Sequence, residues 1–587
     1  MNHVLSPMPA QPADQIDPVQ LEIMRTGLQS IPDLVEADLM RTAFSPLVYE
    51  YKDYAVGIVD AEGRSIALAT SGLPLFLTNL IGLAVRDGLA IYGEDGLQPG
   101  DVVITNNAAT IGQHLNNVVM YTPVFADGKI FGFVSLIVHW IDIGGTYPGS
   151  ASGTDMTELV QEGLQLHTVK LYQRGQPVME IFRIIEGNTR QKDMLMGDIA
   201  AQYSGCIKGH NLLSEFLNRY GVDRVKTAIQ QIFVQTEAAA RAAVEKVPDG
   251  IYRMQSFLDD DGVDIGKRIG VDIAVEVKGS DFIVDFSNIG NQLRGPFNSG
   301  YHGGGEVCAR MAFRYLFMPH ELANEGLFAP VKLILPDGKF LSAGANAPMG
   351  RYSTPLATVV DTIVAALAPA MPDHVAAGHH GALNAYGFNG RHPETGKFFS
   401  YFDTAHGGWG AGAIQDGPGP YKTMIHGDNK DIPVEIQEAL YPVRVERFEW
   451  RTDSGGAGRH RGGLGIEKTY RVLADCNGYV SFERHFCAPW GLMGGHDGNV
   501  SEVEFETQEG RFIRCKASRV PLKKGDRMFI RSGAGGGYGP PTERSPEAVR
   551  LDVLRGYVSP QKAKDVYGIV LKNDGQVDER QTAQLRT

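Results

Sequence analysis

The sequence has few cysteines, no long apolar segment and no excess of positive charge, and each absence excludes a class of protein. Its five cysteines are widely spaced and include no Cys-x-x-Cys pair, so we expect neither a disulfide framework nor a cysteine-based zinc site. No apolar run reaches the roughly 18 residues that span a bilayer. The net charge of -13 argues against nucleic acid or an anionic membrane surface as a partner. We therefore expect a cytoplasmic protein.

The sequence also lacks the Gly-x-x-x-x-Gly-Lys-Ser/Thr loop that cradles nucleotide phosphates, so a self-contained nucleotide site of that kind is not supported. Gly303, Gly304 and Gly305 precede a predicted helix and could bind an anion, but a tight turn is the favoured role. Glycine is abundant, with 71 in 587 residues against a usual share of about 7%. This abundance predicts tight turns and close backbone approaches in a loop-rich protein that contains sheets.

The hydrophobic periodicities predict an α+β fold, because helical and strand patterns alternate irregularly along the chain. A long helix starts at Asp17-Pro18, and we expect it to kink or break at Pro32 and to end near residue 42. Further helices are predicted at 80–92, 193–217, 222–247, 306–317 and 358–370, and two short ones begin at 545 and 559. Strands are predicted at 55–59, 65–69, 101–104, 118–125, 129–138, 252–257, 269–277 and 281–286.

Changes in this pattern divide the chain into five regions. Residues 1–16 form an extended or disordered N-terminus, 17–250 an α+β region, 251–376 a central α+β region, 377–543 a β-rich, glycine-rich region, and 544–587 short helices and a tail. The resulting architecture has an N-terminal helix, mixed sheets and a β-rich second half.

Two segments that follow predicted strands are the first place to look for metal chemistry. One spans residues 106–117 and contains His114, and the other begins at His139, about 25 residues later. Imidazole suits zinc, manganese or iron, and carboxylate or amide oxygens usually complete such sites. The nearby candidates for those oxygens are Asp53, Asn107, Asn117 and Asp142. Spacing alone favours the simpler alternative, in which these are hydrogen-bonded loop residues.

Other histidines and one cysteine are weaker candidates. His379, His380, His406 and His426 lie in glycine-rich segments where each could act as a general acid or base, although a structural role is favoured for each alone. Cys487 lies two residues after His485, but no third group is placed to orient a nucleophile, and a buried inert thiol is the favoured interpretation.

A series of ordered motifs points to one family. They include Asp-Pro-Val-x-Leu-Glu at 17–22, Arg-Thr-Ala-Phe-Ser-Pro at 41–46, Asp53, His-x-x-Asp-x-Gly-Gly at 139–145, Gln-Glu-Gly at 161–163, Asp-Ser-Gly-Gly-Ala-Gly at 453–458 and Arg-Gly-Gly-Leu-Gly at 461–465. From about Asp17 to Val570 the chain resembles the B-type subunit of the hydantoinase and oxoprolinase family. Its relatives include a caprolactamase subunit and subunits of acetone and acetophenone carboxylases. The resemblance implies a large multi-layer fold of the hydantoinase B type.

The resemblance also implies a divalent metal, zinc or manganese, at the positions of Asp53, His114, Asn117 and His139. The family usually has Asn-Asp-Pro, then Gly-Thr-His-Leu-Pro-Asp, where this chain has residues 106–117, so Asn117 replaces a ligand aspartate. The site would be less anionic by one unit, and its metal affinity should fall. Asp142 is the nearest carboxylate that could compensate, and we expect it to act with the two histidines in catalysis.

The family implies a division of labour between subunits. A separate A-type partner binds ATP and phosphorylates the substrate or bicarbonate, and the B-type subunit completes the reaction. We therefore expect this chain to be the metal-site subunit of a heteromeric ATP-dependent amidohydrolase that opens a cyclic amide such as a hydantoin or lactam. The alternatives are a subunit of an ATP-dependent ketone carboxylase, and a non-catalytic scaffold whose metal site has decayed.

Overall fold

The computed structural model describes residues 16–149, 153–427 and 429–586, without the side chains of residues 74–78. The predicted N-terminal region 1–16 lies outside the described residues except for Ile16. No helix in the described ranges combines the length and the apolar character that crossing a membrane requires.

The described chain contains thirteen α-helices. They are α1 Pro18–Thr42, α2 Pro46–Tyr49, α3 Pro74–Gly96, α4 Ala108–Ile111, α5 Met179–Gly187, α6 Lys192–Tyr220, α7 Val222–Val244, α8 Val307–Phe317, α9 Ser353–Ala366, α10 Val434–Leu440, α11 Pro546–Leu554, α12 Pro560–Asp565 and α13 Glu579–Leu585.

The strands form four sheets. The first contains β1 Tyr54–Asp60, β2 Ser65–Leu68, β3 Val102–Thr105, β4 Asn117–Ala126, β5 Lys129–His139, β6 Val169–Gln173 and β7 Gln176–Pro177. The second contains β8 Gly250–Leu258, β9 Ile269–Lys278, β10 Asp281–Asp285 and β11 Val331–Ile334. The remaining strands are β12 Ala385–Arg391, β13 Phe398–Thr404, β14 Val443–Trp450, β15 Ile466–Val472, β16 Cys476–Ser481, β17 Glu502–Thr507, β18 Gly510–Ile513, β19 Lys516–Leu522 and β20 Arg527–Arg531.

The first sheet is antiparallel, has the strand order β2-β1-β5-β4-β3-β6-β7, and carries the two predicted histidine segments at one end of β4 and β5. Glycines on α6 approach Val134 and Leu136, whereas Ile81 of α3 approaches Gly57 on the strand beside them. Successive residues of a strand point to opposite faces of the sheet, so Val134 and Leu136 face one side and Gly57 faces the other. Helices α6 and α3 therefore cover the two faces of this sheet. This explains why β1, β3 and most of β4 and β5 are buried and read as continuous apolar runs.

The other sheets have the orders β11-β10-β9-β8, β13-β12-β16-β19 and β14-β15-β20-β17-β18. One continuous hydrophobic core extends from α1 through the first two sheets to α9, so the regions 17–250 and 251–376 share it. A second core lies between the third and fourth sheets. The arrangement is the predicted α+β fold with a β-rich second half.

Most predicted elements are present, and the differences have local causes. Asp17 caps α1 by accepting hydrogen bonds from the backbone N–H groups of Val19 and Gln20. Of the predicted kink or break at Pro32, the break is absent, because α1 continues through this buried residue. The sequence did not predict α5, α10 and α13, which have nine, seven and seven residues and are too short to show a clear helical repeat.

The abundance of glycine is explained by backbone segments that touch. A side chain at Gly462 would place its Cβ atom 1.9 Å from the carbonyl oxygen of Gly535, so only glycine permits this contact. The glycine-rich segments at 455–465 and 533–539, far apart in sequence, pack directly against each other here.

Candidate active site at the end of the first sheet

His114 and His139 lie side by side and are called the histidine pair below. Asn117 is directly opposite His139 in the register of β4 and β5, and His114 lies three residues before Asn117. The two imidazole rings have centroids 4.8 Å apart. The structure therefore brings together the two histidines that the sequence singled out.

The segment that carries His114 is held by its neighbours. Asn107 caps α4 by accepting a hydrogen bond from Ala109 N at 3.1 Å, so it has a structural role here. Gly112, with φ of 69°, ends this short helix and lies against Gly300. The side chain of Asn106 donates to the carbonyl oxygens of Leu115 at 2.6 Å and Leu164 at 2.9 Å.

Asn116 joins this segment to the end of β5. Its side-chain nitrogen donates to Trp140 O at 2.5 Å, and Trp140 N donates to Asn116 O at 2.8 Å. Asn116 is two residues after His114 and Trp140 is the residue after His139, so this double link holds together the two backbone segments that carry the histidines.

Asp53 lies beside the pair, as the family resemblance implies. Its carbonyl oxygen accepts a hydrogen bond from His139 N at 3.1 Å. Burial raises the pKa of its carboxyl group to about 7. The charge of Asp53 in turn helps to raise the pKa values of Tyr51 and Tyr352. The Asp53 carboxylate therefore lies near these two tyrosines.

The sequence did not identify the segment before α9, which completes the site. The Tyr352 ring centroid is 4.9 Å from that of His114, and the Tyr352 hydroxyl lies 2.9 Å from Asn117 Nδ2. The charge of Arg351 contributes to lowering the pKa of His114. No motif marks this segment, and only tertiary packing places it at the histidine pair.

Glu162 holds that segment in place. Its Oε1 atom accepts hydrogen bonds from Met349 N at 2.5 Å and Gly350 N at 2.7 Å. Burial raises the pKa of Glu162 to about 8, opposed by these two N–H groups and by that of Leu115. Glu162 thus connects the residues beside His114 with those beside Tyr352. It belongs to the Gln-Glu-Gly motif, whose position in the sequence carries no sign of this role.

Both histidines are neutral at physiological pH. Burial lowers the pKa of His114 to about 4 and that of His139 well below its ordinary value. The Asn117 side chain opposes the shift in the pKa of His114, which shows that the two groups are close. Neither His114 Nε2 nor Asn117 Oδ1 makes a well-formed hydrogen bond within the described ranges.

Asp142 has a different environment from the one we expected. Its carboxylate accepts hydrogen bonds from Arg190 Nη1 at 2.9 Å, Arg190 N at 2.5 Å and Gly149 N at 3.1 Å, and its side chain is fully buried. It therefore braces the loop that follows His139. Arg190 neutralises this carboxylate, so the structure gives Asp142 a bracing role, and its part in catalysis stays a prediction.

The donor set at the pair fits a metal only in part. Two neutral imidazoles and an amide oxygen are the right chemical types for a divalent ion, and His114 Nε2 and Asn117 Oδ1 are both buried without a well-formed hydrogen bond among the described residues. Over residues 16–149, 153–427 and 429–586, however, no three His, Cys, Asp or Glu side chains are placed to hold a metal ion together.

A small cavity of about 30 Å³ adjoins His139. It is mainly apolar, and its lining includes Leu47, Phe402 and Tyr479. Phe402 stacks on His139 with ring centroids 6.4 Å apart and also contacts Tyr51 at 5.6 Å. The cavity can hold a water molecule or a small group next to the pair.

Four of the weaker candidates gather in a second polar cluster, defined as His379, His380, His406, Lys422, His426 and Asp431. His379 lies 2.9 Å from Asp361 and His406 lies 3.1 Å from Asp431. Lys422 forms ion pairs with Asp431 and, at 3.1 Å, with Asp403.

Tyr51 connects this second polar cluster with the candidate active site at the histidine pair. Its hydroxyl lies 3.1 Å from Thr404 Oγ1 and 3.3 Å from His426 Nε2, while its backbone is two residues from Asp53.

Cys487 belongs to neither site. Its pKa is raised by burial, and the ring nitrogen of His485 bonds to Ser501 O instead.

The sequence and the fold both match known proteins. The model of the hydantoinase B/oxoprolinase family matches residues 17–541, so the chain belongs to that family. A protein of Pseudomonas sp. (strain NS671), named as the B-type component of a D-/L-hydantoinase, is 29% identical over 97% of this chain and 98% of that protein.

Two solved structures share the fold. The ATP-dependent caprolactamase from Pseudomonas jessenii is 27% identical with a TM-score of 0.89, over 98% of this chain and all of the matched chain. A nucleotide-free acetone carboxylase has the same TM-score of 0.89 at 19% identity, over 97% of this chain and 82% of that one. The second match concerns the fold alone.

Proposed function

We propose that this chain is the metal-site subunit of a heteromeric ATP-dependent amidohydrolase in which a cyclic amide, a hydantoin or a lactam, is opened. The observation that carries the proposal is the end-to-end likeness to the ATP-dependent caprolactamase. An A-type partner would bind ATP, which agrees with the lack of a phosphate-binding loop in this sequence.

The reaction would take place at the histidine pair. His114 and His139, with Asp53 and the Asn117 carbonyl oxygen, would hold a divalent ion, zinc or manganese, once these side chains move closer together than they lie among the described residues. Such an ion would supply Lewis acidity that polarises the amide carbonyl group. The chain's own contribution is to keep both imidazoles neutral by burial and to hold the Asn117 amide in a single orientation. The small apolar cavity beside His139 would exclude bulk water.

The test combines the purified chain with its A-type partner, ATP and a panel of cyclic amides, and measures ring-opened product and released phosphate. We expect ATP-dependent opening of at least one ring. A parallel reaction with labelled bicarbonate addresses the ketone carboxylase, because label fixed into the product of a ketone would replace the hydrolase proposal.

His114→Ala distinguishes an active site from a scaffold. We expect the variant to bind the partner normally but to lose activity by about a hundredfold or more, because it removes a group from the reacting centre. His167→Ala is the matched control, since His167 is exposed and contacts Gln165 two residues away. Full activity of the His114→Ala complex would leave the scaffold as the better description.

A further inference from the structure

Arg351 is a buried cation with no carboxylate partner among the described residues. The residue is 3% exposed, and its Nε atom donates to Gly153 O at 2.9 Å. Its Nη2 atom is buried and has no hydrogen-bond partner in the part of the chain that the structure describes. Burial lowers the pKa of Arg351 to about 10, and the side chain that opposes this shift is Tyr479, which is not a carboxylate.

The other buried arginines show what is unusual about Arg351. Five arginines are buried in the described ranges. Four of them pair with carboxylates: Arg310 with Glu306 and Glu325, Arg461 with Asp552, Arg484 with Asp361, and Arg544 with Asp416 and Asp552. Arg351 is the exception within these ranges, and it lies at the candidate active site.

Its position is defined from several sides. Arg351 precedes Tyr352, which contacts both His114 and Asn117. The charge of Arg351 helps to lower the pKa of His114, and it interacts with Tyr479, which lines the cavity beside His139. Arg351 N donates to the carbonyl oxygen of residue 296 at 2.7 Å, which fixes the backbone. The guanidinium group is therefore anchored at Gly153, on the residue that precedes Tyr352, and its charge acts on His114.

Burying a charge without a partner is costly, and a ligand of opposite charge would offset this cost. A guanidinium group offers planar, paired N–H donors that match the oxygens of phosphate, carbonate or carboxylate. We propose that Arg351 binds an oxyanion at the histidine pair. The candidates are the phosphoryl group of an activated substrate and a carbonate or carboxylate group, and the choice between them rests on the proposed function.

The test uses the full chain without its partner and without ATP. Inorganic phosphate and bicarbonate are titrated separately by calorimetry and thermal unfolding, at an ionic strength held constant with sodium chloride. We expect one of them to bind the wild-type chain and to raise its Tm, because a ligand that binds only the folded state stabilises it. Phosphate points to a phosphorylated substrate and bicarbonate to a carboxylation reaction.

Arg351→Met should lower the affinity for that anion by about tenfold or more, because it removes charge-assisted hydrogen bonds. Arg351→Lys should retain part of the affinity through its charge. Arg351→Met should also leave the Tm of the anion-free chain unchanged or higher, because it removes an uncompensated buried charge.

Arg310→Met is the matched control. It also removes a buried arginine, but this one is the arginine partner of Glu306 and Glu325, so the Tm should fall while anion binding is retained. The proposal is overturned if neither anion binds the wild-type chain, or if Arg351→Met binds it equally well. Because no turnover is measured, this result is independent of whether the complex opens cyclic amides.

Discussion

The side-chain nitrogen of Asn117 lies 2.9 Å from the hydroxyl oxygen of Tyr352, 235 residues away in the sequence. The same nitrogen donates to Gln113 Oε1 at 2.7 Å, and Gln113 Nε2 donates to Gly303 O at 3.3 Å. These bonds fix the orientation of the Asn117 amide. Its Oδ1 atom, which stands where the family usually has a carboxylate, makes no well-formed hydrogen bond among the described residues, and the Asn117 side chain lies close to His114.

Asn117→Asp should raise the affinity of the chain for zinc or manganese by about tenfold or more, because it restores a negative charge next to two neutral imidazoles. Calorimetric titration of the metal-free chain with each ion measures the effect. An affinity equal to that of the wild-type chain would show that this position does not face the ion.

The adjacent Asn116→Asp substitution is the control for that experiment. It adds the same charge one residue earlier, where the Asn116 amide donates to Trp140 O at 2.5 Å. A carboxylate cannot donate this bond, so we expect lower stability and no gain in metal affinity.

Glu162→Gln should change how stability depends on pH. The pKa of Glu162 is about 8 in the folded chain against an ordinary value of 4.5, so between these values the unfolded chain loses its proton first. Ionisation of the unfolded state then lowers the free energy of unfolding as the pH rises, by up to a few kcal/mol.

The Glu162→Gln variant lacks this contribution, so its free energy of unfolding should increase relative to wild type between pH 5 and pH 8. Asp53 titrates in both proteins and cancels in the difference. Denaturant unfolding at several pH values measures it, and a difference that is constant with pH would contradict a neutral buried Glu162.

Asp142→Asn should lower the free energy of unfolding by about 2 kcal/mol or more, because it weakens charge-assisted bonds to Arg190 and Gly149. It should leave metal affinity unchanged, since Asp142 braces a loop. Asp193→Asn, at an exposed position, should affect neither property. A selective loss of metal affinity in Asp142→Asn would restore this residue to the active site.

Gly303→Ala should destabilise the chain more than Gly305→Ala. A Cβ atom at 303 would lie 2.4 Å from Gly112 O and 2.5 Å from Ile111 O, both backbone atoms of the segment before His114. At 305 it would meet a methyl group of Leu335 at 2.4 Å, which can rotate away. We expect a cost of about 1–3 kcal/mol at 303, and thermal unfolding of both variants compares them. Equal effects would mean that the 303 contact can relax.

The sequence determined the elements and their ends where the signals are local. Asp17 before Pro18 specified the start of α1, and apolar runs closed by turns specified β1 to β5, because capping and side-chain alternation depend only on near neighbours. That His114 and His139 each follow a strand made them candidates, but spacing alone favoured hydrogen-bonded loop residues, and the family resemblance was needed to predict one shared site. Family motifs added Asp53.

The tertiary structure alone decided the surroundings of that site. Asp142 pairs with Arg190, while Tyr352, Arg351 and Glu162 reach the histidine pair from segments whose spacing carries no sign of this role. Such contacts depend on how distant segments pack, and spacing along the chain does not record this. The sequence by itself therefore identified the two histidines, and only the packed chain showed that their neighbours are a neutral amide, a buried carboxyl group and a guanidinium without a carboxylate partner among the described residues.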